Sequence, residues 1–502
     1  MLPPTFGRDI GASLVVFLVA LPLCVGVAVA SGVPAEAGLI TGIVGGIVVG
    51  LLPGSTMQVS GPAAGMTVLV YEAVQEYGLP ALGVIVLAAG LLQLLLGALR
   101  LGRWFRAVSV SVVEGMLAGI GLVIVAGQLY SMADLSAPTS GVGKITGLPG
   151  LVTDLFGSTK SLSALALGAG SIAVIVLWRR MPAKVRVVPG ALVAVALATA
   201  ATMLLNLPVK KVQVQGLLSS INLPGADDFG QLAQVGVLGT VFAFMLIASA
   251  ESLFGAAAVD RLHTGPRTEY DKELMAQGAG NTLCGLLGAL PMTAVVVRSA
   301  ANVQAGAQTR VSRVMHGVWL LLFAALLPWV LATIPVAALA GVLVHAGWKL
   351  LPLKQFPRMW REHRVEAVIL TITAVAIVTV NMFEGVLIGL ALSIVKTAWD
   401  TSRVRPTTTD TGTGPIHIAL TGNATFLRLP QILDTLEALP AGRPVELDLS
   451  GLRHVDHACD AALSDWVEGH NHPDTHIRVE LTAAERAEAG RAEVAEPEKA
   501  TV

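Results

Sequence analysis

Charge is what this chain of 502 residues has least of: only 13% of it is Asp, Glu, Lys or Arg, against 54% apolar residues and a mean hydropathy of +0.71. That balance excludes a soluble protein of this size and points to a polytopic membrane protein. Cysteine is scarce too. Cys24, Cys284 and Cys459 lie far apart, which excludes a disulfide or CxxC framework. No Gly-x-x-x-x-Gly-Lys-Ser/Thr run occurs, so nothing in the sequence would power an ATPase. A short apolar core with a cleavage site is also missing at the N-terminus, where Arg8-Asp9 leads straight into 10–30, expected to be a retained first span. No enzymatic activity, cofactor or nucleic-acid partner is expected.

What is present is a long series of apolar runs, at about 10–30, 36–52, 62–77, 79–99, 108–128, 162–178 and 187–206, then 235–259, 272–290, 293–305, 312–331, 333–350, 365–381 and 383–400. The expectation is an all-α polytopic protein of fourteen spans in two halves, about 10–206 and 235–400. Seven spans per half require an internal repeat to be inverted in the membrane. Seventeen Lys/Arg fall in short loops on one side, from Arg100 to Arg364, against Lys144, Lys160, Lys210 and Lys211 on the other. The asymmetry predicts that both termini are cytoplasmic. The longest loops on the outer side, 131–161 and 207–234, read as surface connections without chemistry.

Two runs are broken. In 285–309 a Pro-interrupted stretch carries Arg298 to membrane depth, and its apolar part, 292–301, would cover about 15 Å as a helix, roughly half of a bilayer core. About 230 residues earlier, Ser60-Gly61-Pro62 opens a similar short run that meets charge at Glu72. Short, Gly/Pro-interrupted segments in corresponding halves point to a transport site. A helix N-terminus facing an anion contributes about 0.3 to 2 kcal/mol, whereas taking an anion out of water costs several. Two helix ends therefore need Arg298 or residual water to complete the site. The plainer reading of Arg298 is a structural partner for Glu251. That residue lies in an otherwise apolar run, 241–259, where its ionised form is costly unless paired, and a carboxyl that exchanges a proton as the site fills is a natural coupling group.

Beyond Trp399 the texture changes. Residues 403–415 read as a polar linker, and 416–482 as a small α/β domain in which 416–420 alternates like a strand. The tail, 483–502, is expected to be mobile. Residues 468–476 hold three histidines and two carboxylates, but in so polar a loop they read as solvated, and no metal site is expected.

Several motifs together resemble the SulP sulfate-permease family of anion transporters and exchangers. They are Leu21-Pro22 with Ala30-Ser31-Gly32-Val33-Pro34, Val59-Ser60-Gly61-Pro62, Glu251-Ser252, Glu273 to Gly278 with Asn281, and Arg298 to Asn302 followed by Ala305 to Thr309. The segment with Asp448-Leu449-Ser450-Gly451 and Val455-Asp456 is similar to the STAS domain of such transporters. The resemblance implies two inverted seven-span repeats forming a core and a gate domain. It places the anion between the facing ends of spans three and ten, against Leu23, Val27, Ala63, Ala64, Val297 and Arg298. It implies secondary active transport of a small anion (bicarbonate, sulfate, chloride or a dicarboxylate) by alternating access across the plasma membrane, with Glu251 available for proton coupling. A homodimer in the lipid bilayer and a cytoplasmic partner for the STAS domain are further expectations. His457 stands where antagonist STAS domains carry a phosphorylated serine, so that switch is not expected. The alternatives are a proton-coupled nucleobase permease of the same fold, against which Arg298 argues, and a STAS-bearing membrane sensor or scaffold.

Overall fold

The computed structural model describes residues 5–103, 109–182, 185, 188–214, 216–412, 414–440, 443–471 and 479–481. Its first nine helices are α1 (Phe6–Ala30), α2 (Ala35–Val44), α3 (Thr67–Tyr77), α4 (Leu79–Ala98), α5 (Val110–Met132), α6 (Gly141–Thr146), α7 (Leu148–Phe156), α8 (Thr159–Trp178) and α9 (Gly190–Leu204). There follow α10 (Ala226–Phe229), α11 (Val235–Asp260), α12 (Tyr270–Leu286), α13 (Val296–Gln304), α14 (Val311–Leu326), α15 (Pro328–Leu331) and α16 (Val336–Leu350). The last are α17 (Phe356–Glu362), α18 (Arg364–Thr379), α19 (Met382–Thr401), α20 (Leu429–Glu437) and α21 (His457–His470). The chain divides into two compact units, 1–390 and 391–502.

The first unit is helical and built for lipid. Among the described residues six helices, α1, α4, α5, α8, α11 and α19, are long and apolar enough to cross a bilayer; the last of these runs from the first unit into the second. Four more apolar stretches are shorter, Ala35–Val49, α9, α14 and α16. Large apolar side chains such as Leu204, Phe242 and Val375 remain exposed, which is costly in water and costs nothing against acyl chains. Inside, α4 packs along α12, and α5 along α16 and α18. Backbones approach closely there: a Cβ on Gly115 of α5 would lie 2.6 Å from the Leu370 carbonyl oxygen of α18.

Two of the expected spans are not continuous helices. Residues Ser60–Pro62 form strand β1 and Met292–Ala294 form β2, paired antiparallel with Gly61 opposite Thr293. The helical part of 293–305 consequently starts at Val296, and that of 62–77 at a 3-10 turn, Ala64–Met66, leading into α3. Each strand needs a partner for its backbone groups at membrane depth, and each supplies the other's.

Arg313, expected in an inner loop, is instead buried at the start of α14. Helix α2 runs on through a π turn, Gly45–Val49, and the guanidinium donates to the Gly50 and Leu52 carbonyls at its end, at 3.1 and 2.9 Å, and to that of Gln58 at 3.4 Å. The first two are carbonyls that a helix end leaves without partners.

The second unit carries a four-stranded sheet in the order β3 (Val404–Thr409), β4 (Ile416–Ala424), β5 (Val445–Val455), β6 (Val479–Leu481), antiparallel between the first two and parallel thereafter. Strand β3 lies within 403–415, so much of the expected linker belongs to the sheet. The polar Thr-rich sequence hides this because an edge strand buries little: among its six residues only Val404 is buried. Ile416, Ile418 and Leu420 alternate inward from β4 and pack with Ile432, Leu436 and Leu463 of α20 and α21. Asp456 caps α21, accepting from the Cys459 amide at 2.9 Å and from that of Phe426 at 2.6 Å. In the expected histidine cluster, His470 stacks on Trp466, while His472, Asp474 and His476 lie outside the described residues, as does the tail 483–502.

Candidate anion site

A frame of buried polar side chains fixes the two strands. Asn281 of α12 accepts from the Met292 amide at 2.7 Å and donates to the Met292 carbonyl at 3.1 Å, with a second donation to Gln93 of α4 at 2.8 Å. Gln277, one turn earlier, donates to Ser60 Oγ at 2.7 Å. Ser299 Oγ accepts from the Val59 amide at 2.9 Å, and Ser252 Oγ from that of Ala294 at 3.3 Å. Two turns of α12 thus hold both strands. Glu273 extends the frame, accepting from the Ser55 amide at 2.7 Å and from Gln277 at 2.8 Å.

From this frame two helical segments begin without side-chain caps. Ala63 precedes the turn into α3 and Val295 precedes α13; both have extended backbone and neither has a side chain that could accept from the first-turn amides. Ser, Thr, Asn or Asp at those places would satisfy them. Left uncapped, the first turn of each helix keeps donors and a partial positive charge for an anion.

Arg298 adds a full positive charge. It lies in the first turn of α13, wholly buried, and Nε, Nη1 and Nη2 have no hydrogen-bond partner among the described residues. The guanidinium lies against Gly61 of β1, where a Cβ would overlap Nη1 and come within 3.1 Å of Cζ. Cys24 of α1 and His316 of α14 are near enough to feel its charge. A buried cation with five N–H donors and, among the described residues, nothing better than the weakly accepting Cys24 sulfur beside it is costly, and an anion supplies what is missing.

Glu251 does not play that part. Among the described residues no ion pair joins Glu251 to Arg298 in this conformation. The Glu251 carboxylate instead accepts from Thr293 Oγ1 of β2 at 3.1 Å and lies over Gly65, in the turn that opens α3. A Cβ on Gly65 would overlap it, with Cδ only 2.8 Å away. The acid and the arginine thus sit at different parts of one strand crossing.

Of the other residues expected at the site, Val27 and Ala63 are buried in one apolar cluster, and Leu23 and Ala64 pack against it. Val297 stands outside that cluster with 51% of its surface exposed. Sequence reading missed His316, wholly buried, with Nδ1 2.7 Å from the Arg313 carbonyl oxygen and Nε2 without a partner among the described residues. Nothing in its neighbourhood, Val311 to Leu322, marks it by spacing. Among the described residues no group of three His, Cys, Asp or Glu is placed to hold a metal.

Comparison with known proteins agrees with this architecture. YvdB of Bacillus subtilis is 29% identical over 395 residues, covering 78% of this chain and 73% of YvdB. The bicarbonate transporter BicA of Picosynechococcus is 29% identical over 363 residues, 68% of this chain and 61% of BicA. In structure, the transmembrane domain of a cyanobacterial BicA matches with a TM-score of 0.66 at 24% identity, over 78% of this chain and 98% of that domain. The murine Slc26a9 anion transporter in its inward-facing state matches with a TM-score of 0.78 at 15% identity, over 98% of this chain and 88% of the other. The model of the sulfate permease family matches residues 6–373. This multi-pass membrane protein belongs to the sulfate permease family.

Proposed function

We propose that the protein is a secondary active transporter of a small inorganic or carboxylic anion, working by alternating access. The observation that carries this is Arg298, a fully buried guanidinium with three unpartnered nitrogens beside two uncapped helix starts. The anion lies between the first turns of α3 and α13, where its charge meets the amides of both and the guanidinium. Leu23, Val27, Ala63 and Ala64 provide an apolar wall that excludes water and strengthens those interactions. Bicarbonate and sulfate come first because relatives are named for them; chloride and dicarboxylates offer the same charge in other sizes.

Coupling is assigned to Glu251. Its carboxylate lies at the opening of α3 and repels an anion there, so taking up a proton and admitting the anion favour each other. In this reading the fourteen spans form two inverted repeats in the plasma membrane with both termini in the cytoplasm. The second unit is a STAS domain serving assembly, as a homodimer, or partner docking.

The test is uptake into proteoliposomes of radiolabelled bicarbonate, sulfate, chloride and succinate, with and without an inward proton gradient. Wild type is expected to accumulate at least one anion, and Arg298→Ala to lose uptake while eluting as a monodisperse protein. Glu251→Gln is expected to keep anion exchange and lose gradient-driven accumulation. Wild-type uptake by a well-folded Arg298→Ala protein overturns the site. Equal gradient-driven accumulation by wild type and Glu251→Gln overturns the coupling role.

A further inference from the structure

The segment 131–161, read from the sequence as a surface connection without chemistry, places a lysine inside the protein. Lys144, in the last turn of α6, is only 6% exposed. Its stem packs on α5, with Cδ and Cε 3.6 Å from where a Cβ of Gly127 would stand. Its ammonium lies 5.5 Å from the centre of the Tyr71 ring on α3. Nζ has no hydrogen bond and no carboxylate within ion-pair distance among the described residues, although Glu72 is near enough to feel its charge. A cation–π contact offsets only part of an ammonium's desolvation.

Lys144 lines a cavity of about 230 Å³ between α1, α3, α5 and α6. Gln128, Ser131, Ser136 and Thr67 add hydrogen-bonding groups to its wall, and no acidic residue lines it. The position of Thr67 matters most. It is the first residue of α3 and donates to the Ala64 carbonyl at 2.8 Å, so the cavity reaches the helix start assigned to the transported anion.

We propose that this cavity is a second anion site, an antechamber in which Lys144 receives a small inorganic anion before it passes Thr67 to Arg298. The inference rests on the transport reading for its purpose, but the site itself does not need transport to be detected. The anion satisfies the ammonium that Tyr71 alone leaves underpaired, and the serine, threonine and glutamine groups replace part of its hydration. The cavity lies where α1 and α5 end, which places it toward one face of the membrane.

The experiment places a cysteine at Ser131 in the full-length protein, whose three natural cysteines are all buried. Reaction rates are compared for two small thiol reagents of similar size, an anionic sulfonatoethyl and a cationic trimethylammonium-ethyl methanethiosulfonate. With Lys144 in place the anionic reagent is expected to be favoured. Lys144→Gln is expected to cut the anionic-to-cationic rate ratio about a hundredfold, since loss of one charge about 6 Å away, at a dielectric between protein surface and water, slows the anionic reagent and speeds the cationic one by about tenfold each; Lys144→Arg is expected to restore it. Sulfate is expected to slow modification in the presence of Lys144 and not in Lys144→Gln. Adding Arg298→Ala is expected to leave ratio and protection intact, so failure of the transport site and failure of the antechamber are separately visible. A ratio unchanged by Lys144→Gln, or a cysteine inert to both reagents, overturns the proposal. Gln128→Cys serves as the second reporter if Ser131→Cys does not fold.

Discussion

If Arg298 is kept for an anion, removing it should make the empty protein more stable, not less. The guanidinium is fully buried and all three of its nitrogens lack partners, so it is an uncompensated charge. Such a charge typically costs about 3 to 5 kcal/mol. Arg298→Met keeps a long, flexible, apolar stem, and imperfect packing of the new thioether takes back about 1 kcal/mol. The net expectation is a gain of about 2 to 4 kcal/mol without anion. Anion at a hundred times its dissociation constant stabilises the wild type by about 2.7 kcal/mol. Anion-loaded wild type and empty Arg298→Met should therefore unfold at similar temperatures, both above empty wild type. The assay is thermal unfolding of the detergent-solubilised protein in gluconate buffer, followed by tryptophan fluorescence, across titrations of sulfate, bicarbonate and chloride. An Arg298→Met protein that is less stable than empty wild type, and that shifts with anion as much as wild type does, would refute the reasoning, because the arginine would then be structural.

Three further outcomes follow from other contacts. Gly65→Ala should fold, since the atoms it displaces are the free end of the Glu251 side chain, but the carboxylate must leave Thr293; proton-driven accumulation should fall while anion exchange persists, measured in proteoliposomes. Arg313→Met removes three donations to backbone carbonyls, and with charge-assisted bonds at about 1.5 to 3 kcal/mol each even partial loss exceeds about 3 kcal/mol; size-exclusion chromatography should show little monodisperse protein. In the second unit, burial pulls the Asp456 carboxyl upward, but the amides of Cys459 and Phe426 outweigh it and hold it below the usual carboxylate range. Its contribution is therefore complete above the unfolded value near pH 4 and lost as pH falls through the folded one; Asp456→Ala should lower the stability of that unit by about 1 to 2 kcal/mol at pH 7 and by less at acid pH, read by urea unfolding.

What the sequence discloses and what it conceals here divide along a physical line. Apolar runs are long, and a broken run with an arginine in it is visible because nothing else in a bilayer tolerates one; Arg298 and Ser60-Gly61-Pro62 stand out for that reason. The residues that make those breaks habitable do not. Asn281 serves the Met292 amide and carbonyl, and Arg313 serves carbonyls at Gly50, Leu52 and Gln58, all through backbone atoms that leave no pattern in side-chain spacing. Arg313 reads as a loop residue because positive charge near a span end looks the same whether it faces water or a helix terminus. Lys144 misleads in the same way: among Gly, Ser and Pro it reads as a solvated cation, and only the packing of α6 on α5 and α18, with the Tyr71 ring of α3 beside the ammonium, takes it out of water. Strand β3 was lost for the opposite cause, an edge strand whose threonines carry no burial signal.

The three buried cations among the described residues can be ordered by what each lacks. Arg313 has a carbonyl partner at each of its three nitrogens, so its charge belongs to the architecture. Lys144 has an aromatic face and no acceptor, which leaves it partly satisfied at the edge of a cavity. Arg298 has, among the described residues, no oxygen acceptor and only the Cys24 thiol nearby. A mobile anion moving from the cavity past Thr67 would meet cations of increasing need, and each step toward Arg298 would be favoured by what the protein leaves unpaired. Release on the other side then requires that the Arg298 site be opened to water, whose hydrogen bonds can replace the anion's; an isolated deep site without that opening would bind and not transport.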